Sequence, residues 1–300
     1  MYVVAGATGH TGNLVAKTLL TKGEKVRVIS RTPAHLKDLA AQGAEPFPAD
    51  LTDASALTRA FAGAKAVYVL IPPNLAAADV RSYQNRVSDS IALGLQRARV
   101  THAVALSSIG ADKPDKTGPV IGLRYLEEQL NRIAGLNVLH LRPGYFMENS
   151  LAQIGIIHQT GMAAGPLRPD LKLPMIATRD IGEAAAKALL ALDFHQQQTR
   201  ELHGQRDVSM SEVAQIIGKA IGKPDLQYVQ APDDQVRGGM IQSGMSVNMA
   251  DLILEMAAAL NSGYMRPLEP RSPQNTTTTT YEDFVKQEFV PLYQGQSAAA

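Results

Sequence analysis

Three glycines spaced three apart, Gly6, Gly9 and Gly12 in the stretch GATGHTG, are the first residues whose types and spacing suggest chemistry. They lie directly behind the apolar run Tyr2-Val3-Val4-Ala5 and ahead of Val15, Ala16, Leu19 and Leu20, which recur at helical spacing. The order is strand, glycine turn, helix. Gly6 permits a tight turn at the strand end, Gly9 a close approach of the backbone to a bound group, and Gly12 packing of the helix on the sheet. Ala7, Thr8, His10 and Thr11 complete the turn. Unpaired N–H groups and the positive end of the helix dipole would face a pyrophosphate, the centre of a dinucleotide. The same turn without a ligand is the bland alternative.

A second run, Lys25 to Ser30, ends about twenty positions after the first, where dinucleotide-binding folds select their cofactor. An Asp or Glu there holds a ribose 2′-hydroxyl, as NAD requires. This chain has Ser30 and Arg31 instead, and a guanidinium can fork onto a 2′-phosphate where a carboxylate would repel it. NADP(H) is therefore expected over NAD(H). Asp50 follows a third apolar stretch, where it would accept a hydrogen bond from an adenine amine or simply close a turn.

Other chemistries are narrowed by composition. The 300 residues contain no cysteine, which removes disulfides, thiolate nucleophiles, iron–sulfur clusters and cysteine-ligated zinc. Seven histidines are scattered without paired spacing, so no metal is expected. A net charge of +1 without a lysine or arginine cluster argues against a nucleic-acid partner. No apolar run approaches membrane-spanning length, and Met1 leads straight into the first strand, so a cytoplasmic protein is expected.

The elements that must position these residues alternate strand and helix over the first half. Ala44 to Ala49 reads as a short strand which its two prolines keep from a central position. Asp53 then caps a helix through Leu57 and Phe61. Ala66 to Ile71 is nearly continuous in apolar residues, as a parallel strand buried on both faces requires, and Pro72 ends it. A long helix, about Asp79 to Arg97, leads to the strand Ala103 to Leu106; a helix from about Pro119 to Ala134 leads to the strand Asn137 to Leu141. This predicts an α/β fold of the Rossmann type, a doubly wound parallel sheet.

Beyond residue 150 the rhythm changes. Helices near 150–158, 179–192, 210–222, 233–243 and 247–261, with a short strand at 226–229, predict a smaller C-terminal α/β lobe over 151–300. It is expected to interleave with the 1–150 domain around 179–192. The run Thr276 to Thr280 reads as a solvated connector with Thr280 as helix cap and Asp283 as its capping-box partner, and the tail from Gln294 to Ala300 as frayed. No internal repeat is evident.

GATGHTG, the segment Ser30-Arg31-Thr32-Pro33, Ala49 to Asp53, Ser107 to Ala111 and Leu141 to Asn149, in this order, together resemble the NmrA-like family of atypical short-chain dehydrogenases. The resemblance implies NAD(P)(H) binding in an extended cleft, with the C-terminal lobe over the nicotinamide. It implies that residues 6–12 hold the pyrophosphate, Arg31, Thr32 and His35 the adenosine phosphate, and Asp50 and Leu51 the adenine. Leu70, Ile71 and Pro72 would meet the ribose side, and Phe146, Glu148 and Asn149 the nicotinamide, with Met147 where an aromatic residue usually stands. Arg86 is in the position to replace a basic residue that reaches the cofactor.

Carbonyl-reducing short-chain dehydrogenases use a Tyr-x-x-x-Lys pair on the helix after the fifth strand. Reading from Tyr125 places Gln129 at the lysine position; anchoring on Glu128, which matches a glutamate the family keeps, places Arg124 there and Val120 at the tyrosine position. The second register is preferred, and neither completes the pair. Arg124 could hold a ribose or phosphate but is a poor acid. Ser107 or Ser108 could orient a carbonyl, and Tyr125 or Tyr145 are the weak candidates for a replacement acid.

Two functions remain. One is hydride transfer from NADPH to a quinone or similar activated acceptor, which needs no relay because the reduced oxygens take protons from water; it would enter near Phe146, Met147 and the helices after 150. The other is a non-catalytic redox sensor that binds the dinucleotide and acts through a protein partner.

Overall fold

In the computed structural model, which describes residues 1–295, the four apolar residues before the glycine turn form β1 (Tyr2–Ala5), fully buried. The chain then alternates as expected: α1 (His10–Thr21), β2 (Val26–Ser30), α2 (Lys37–Ala41), β3 (Glu45–Pro48), α3 (Ala54–Phe61), β4 (Ala66–Val69), α4 (Val80–Arg97), β5 (His102–Leu106), α5 (Val120–Asn131) and β6 (Asn137–Pro143). Past residue 150 come α6 (Gln153–Thr160), β7 (Ala163–Gly165), β8 (Lys172–Pro174), α7 (Thr178–Ala191), β9 (Gln197–Leu202), β10 (Asp207–Ser209), α8 (Met210–Ala220), β11 (Tyr228–Gln230), α9 (Asp233–Gln242) and α10 (Val247–Asn261). Of the expected tail, residues 296–300 lie outside the described residues.

The main sheet is parallel with strand order β3-β2-β1-β4-β5-β6-β9. The winding reverses between β1 and β4, and crevices beyond the carboxyl ends of strands at such a reversal are where open α/β sheets bind ligands. Alternating side chains divide the core. Tyr2 and Val4 pack with Val15 and Leu19 of α1 and Ile181 and Leu189 of α7, while Val3 and Ala5 pack with Leu57 and Phe61 of α3, Ile91 and Leu95 of α4 and Leu126 of α5.

The prolines of β3 are accommodated because it is the edge strand. Arg27 fastens it: the guanidinium bonds Glu45 at 2.9 Å, stacks 5.6 Å from the Phe47 ring centre and donates to the Ala60 carbonyl at 2.7 Å. Asp53 caps α3 through the Ser55 and Ala56 N–H groups, both at 2.9 Å.

Four expectations need correction. β6 runs through Arg142 and Pro143, because Pro143 pairs with Leu202 and its carbonyl accepts from Ile109 at 3.1 Å; the irregular turn begins only at Gly144. The seventh strand, β9, was not expected at all. Its first three residues are exposed, so it lacks the apolar pattern of a buried strand. The threonine run is no solvated connector: Thr279 is buried and its hydroxyl donates to Asp180 of α7 at 2.6 Å, while Thr277 N–H donates to the His203 carbonyl at 2.8 Å. Thr280 does cap the next turn, accepting from Asp283 N–H at 3.0 Å, but the Asp283 carboxylate accepts from the threonine hydroxyl at 2.6 Å rather than from the Thr280 backbone. Helix α7 lies against α1 so closely that a Cβ on Gly182 would fall 3.0 Å from Leu14 Cβ. We propose a division in which α7 and β9 belong with residues 1–150 and the rest of 151–295 forms the lobe.

The lobe has its own core, with Ile157, Leu173, Val213, Ile217, Phe284 and Phe289 among its buried residues. Helix α10 joins this core through Ala257, Ala259 and Leu260 and borders the cleft with Met249, Ile253 and Met256. It is tied there by Asn248, which accepts from Val80 N–H at 2.9 Å, and by Glu255, which accepts from Gly118 N–H at 2.9 Å.

Candidate active site

Gly6 adopts the left-handed conformation, φ +64°, and turns the chain at the end of β1 over Leu70 of the adjacent strand end. A Cβ on Gly12 would sit 2.4 Å from the Gly6 carbonyl oxygen, so the helix can start against the turn only with glycine there. At Gly9 the nearest atom to such a Cβ is 3.5 Å away, leaving open space above the turn. The first helical bond runs from Asn13 N–H to the Gly9 carbonyl at 2.9 Å, so His10, Thr11 and Gly12 have no helical acceptor for their N–H groups. Thr8, Gly9 and His10 are exposed at this mouth. Ala7 is in the core, and the Thr11 hydroxyl is buried against the Tyr68 hydroxyl at 3.0 Å, so these two can offer only backbone. This is the cradle that a pyrophosphate requires.

From the cradle a cleft of about 750 Å³ runs along the sheet edge to the lobe. Gly6, Leu70, Ile71, Pro72, Ser107, Phe146, Glu148 and Asn149 all border it, together with Tyr145. The adenosine-end candidates lie outside this enclosed part. Arg31, Thr32 and His35 are exposed where β2 ends, with Thr32 preceding a short 3-10 turn. Asp50 is exposed, and its carboxylate accepts from the Thr52 N–H and hydroxyl, each at 2.8 Å. Burial acts to raise its pKa, but those two bonds and the Arg31 charge outweigh it and hold the carboxyl below its ordinary value. Asp50 thus closes its turn while sharing a field with Arg31. Tyr83 of α4 feels Arg31, Asp50 and Arg86 together, which places Arg86 at the same end. Leu51 is buried, leaving only its backbone for a ligand.

At the other end, Ser107 donates to Glu127 at 2.5 Å, and Arg142 grips the same carboxylate through Nε at 2.9 Å and Nη2 at 2.5 Å. Glu127 is 6% exposed, so the pair is buried and bidentate. Burial opposes the Arg142 charge and the Glu127 contact more than offsets it, raising its pKa. Ser107 has its proton committed to Glu127, so toward the cleft it can only accept. Glu127, not its neighbour Glu128, is the buried carboxylate of this helix; Glu128 is half-exposed and pairs with Arg124 at 2.9 Å.

That shift changes the register of α5. Its residues bordering the cleft are Val120 and Leu123, with Pro119 just before it. The pair spaced like Tyr-x-x-x-Lys and facing the cleft is therefore Pro119 and Leu123, neither of which can carry a proton. Both earlier registers are corrected: Arg124 turns away to the Asp112 carbonyl at 2.9 Å, and Tyr125 turns outward to Asp89, also at 2.9 Å. The Asp89 bond raises the Tyr125 pKa, and burial raises that of Tyr145 against a bond from the Asn149 side chain, so both are weaker acids than free tyrosine. Glu148 caps α7, accepting from Thr178 N–H at 2.8 Å and from its hydroxyl at 2.5 Å. Burial pushes its carboxyl above the ordinary value, against the Thr178 bonds and the neighbouring His10.

Helix α10 walls the cleft on the lobe side. Met249, Ile253, Met256 and Leu260 fall at spacings of four, three and four on one helix face and border the cleft, joined by Met265. That stripe was legible as amphipathic spacing, although nothing in it said which element it would face. Phe146 borders the cleft as expected, whereas Met147 is buried in the lobe core.

The model of the NmrA-like family matches residues 2–288. The NAD(P)H azoreductase of Xenophilus azovorans is 27% identical over 95% of this chain and 97% of its own length. Among solved structures, an NADPH-dependent quinone oxidoreductase of Escherichia coli in complex with NADPH superposes with a TM-score of 0.81 at 23% identity, covering 95% of this chain and 98% of that one. The Citrobacter triphenylmethane reductase complexed with NADP(H) follows at 0.79 and 20%, covering 96% and 99%. With the family model spanning the sheet and the lobe alike, and the fold matching these oxidoreductases over nearly their whole length, this chain belongs to the NmrA-like family.

Proposed function

We propose that the protein is an NADPH-dependent reductase that delivers hydride to a quinone or a similarly activated acceptor without a tyrosine–lysine relay. The observation that carries this reading is the cleft itself: a glycine cradle at one end, an apolar acceptor wall at the other, and no proton-carrying side chain on the α5 face between them. The relatives support the class, being named as an azoreductase, a quinone oxidoreductase and a triphenylmethane reductase.

NADPH, when bound, supplies hydride from its nicotinamide ring. The chain does the rest by position. The free N–H groups of His10, Thr11 and Gly12 hold the pyrophosphate, Arg31 the 2′-phosphate, and Asp50 lies beside the adenine. Ser107, its own proton held by Glu127, accepts from a ribose hydroxyl or carboxamide. Phe146 and the α10 methionines exclude water from the space between nicotinamide and acceptor. A quinone takes up the hydride as two electrons and one proton, and the second proton comes from water, giving the hydroquinone.

The cofactor half is tested by calorimetry with NADPH and NADH on wild type and Arg31→Ala. The expected result is a loss of at least about tenfold for NADPH with NADH little changed. Equal losses, or none, would reject the role of Arg31.

A further inference from the structure

Among the residues bordering the cleft are His10, Glu148, Lys172 and Arg266. His10 belongs to the cradle and Glu148 is held by Thr178, while Lys172, exposed on β8 and without an ion pair among the described residues, offers a point charge rather than a planar fork. The fourth, Arg266, is exposed at the acceptor end and makes no ion pair or side-chain hydrogen bond among the described residues. The paired arginines elsewhere show the alternative: Arg237 grips Asp251 at 2.6 Å and Arg206 grips Glu282 at 2.6 Å.

The backbone on either side of Arg266 is fixed. Met265, just before it, is buried and so close to the Ser107–Gly110 turn that a Cβ on Gly110 would meet its Cε at 2.5 Å. Just after it, Leu268 and Glu269 donate their N–H groups to the buried carboxylate of Glu201, at 3.0 Å and 2.9 Å. Arg266 thus extends from an anchored loop that borders the same cleft as the thioethers of Met249, Met256 and Met265. Methionines pack well against aromatic rings, and a free guanidinium on the same cleft can fork onto a carboxylate or sulfonate.

We propose that Arg266 is a specificity-determining residue and that the preferred acceptors are flat aromatic molecules carrying an anionic group. This rests on the reductase reading above and assigns the acceptor's charge within it. At an exposed rim the pairing is screened, so its effect is about fivefold at most.

The experiment compares a neutral naphthoquinone with a naphthoquinone sulfonate as acceptors for wild type, Arg266→Ala and Arg266→Lys, with NADPH affinity measured alongside. Arg266→Ala should raise KM for the sulfonate about fivefold at unchanged kcat, and leave the neutral quinone and NADPH within about twofold. Arg266→Lys should recover part of the loss, and salt should raise the sulfonate KM for wild type and Arg266→Lys but not for Arg266→Ala. Equal changes for both quinones, or weakened NADPH binding, would overturn the proposal and place Arg266 in a general or cofactor role. If wild type turns over neither quinone, the reductase reading fails by itself. Charge selection is then decided by calorimetry of the sulfonate on NADPH-loaded protein, where equal affinity for wild type and Arg266→Ala rejects it.

Discussion

The two ends of the cleft are built on opposite principles. At the cradle, function rests on backbone: Gly6 turns left-handed, Gly12 admits no Cβ, and the donors are N–H groups of a helix end. At the α10 wall, where we propose the acceptor binds, it rests on side chains, with flexible methionines on a helix anchored by its own buried residues and by polar ties to Val80 and Gly118. A backbone cradle fits one ligand group and tolerates almost no change. A wall of thioethers can adapt to many flat molecules.

The sharpest way to break this contrast is at the glycines. Gly12→Ala should cost about 3 kcal/mol or more, because a backbone carbonyl has to move, and thermal denaturation will read it. Gly9→Ala should keep the melting temperature, having room within the protein, yet weaken NADPH about a hundredfold in calorimetry by filling the phosphate's space. If both variants bind NADPH as wild type does, the cradle is only a structural turn.

Next in size is Glu127→Gln, which leaves the buried Arg142 without its countercharge. Breaking a pair of this kind costs about 3 kcal/mol, measurable by urea denaturation. On the acceptor wall, Met256→Ala should raise KM for a quinone by about tenfold or less and leave NADPH affinity unchanged. An equal effect on NADPH would erase the distinction between the two ends. Smallest of all, Tyr125→Phe should leave kcat within about twofold, since its hydroxyl faces Asp89 outside the cleft.

What could be read beforehand follows the same division. The glycine turn, the buried strand from Ala66, which ends at Val69 rather than at Ile71, and the capped helix after Asp53 carry strong local signals, because each is set by residues next to one another. Glu127 and Glu128 show the limit: adjacent carboxylates on one helix differ by a rotation of about 100°, and only the packed structure tells that Glu127 meets Arg142 while Glu128 meets Arg124. Strand β9 escaped because an edge strand needs no apolar pattern at its exposed start. The threonine run escaped because a hydroxyl that bonds Asp180, some hundred residues distant in sequence, reads in isolation like one that bonds water. The α10 stripe was spaced as a helix face, but its burial against a cleft rather than a core depends on the whole fold.

The measurement that tests the central claim most directly is NADPH oxidation by the purified protein, followed through the nicotinamide absorbance, with a panel of quinones. The account predicts saturable turnover that persists in Tyr125→Phe and is lost in Gly9→Ala. Tight NADPH binding without turnover of any acceptor would contradict it and redirect the search to a protein partner that responds to the bound dinucleotide.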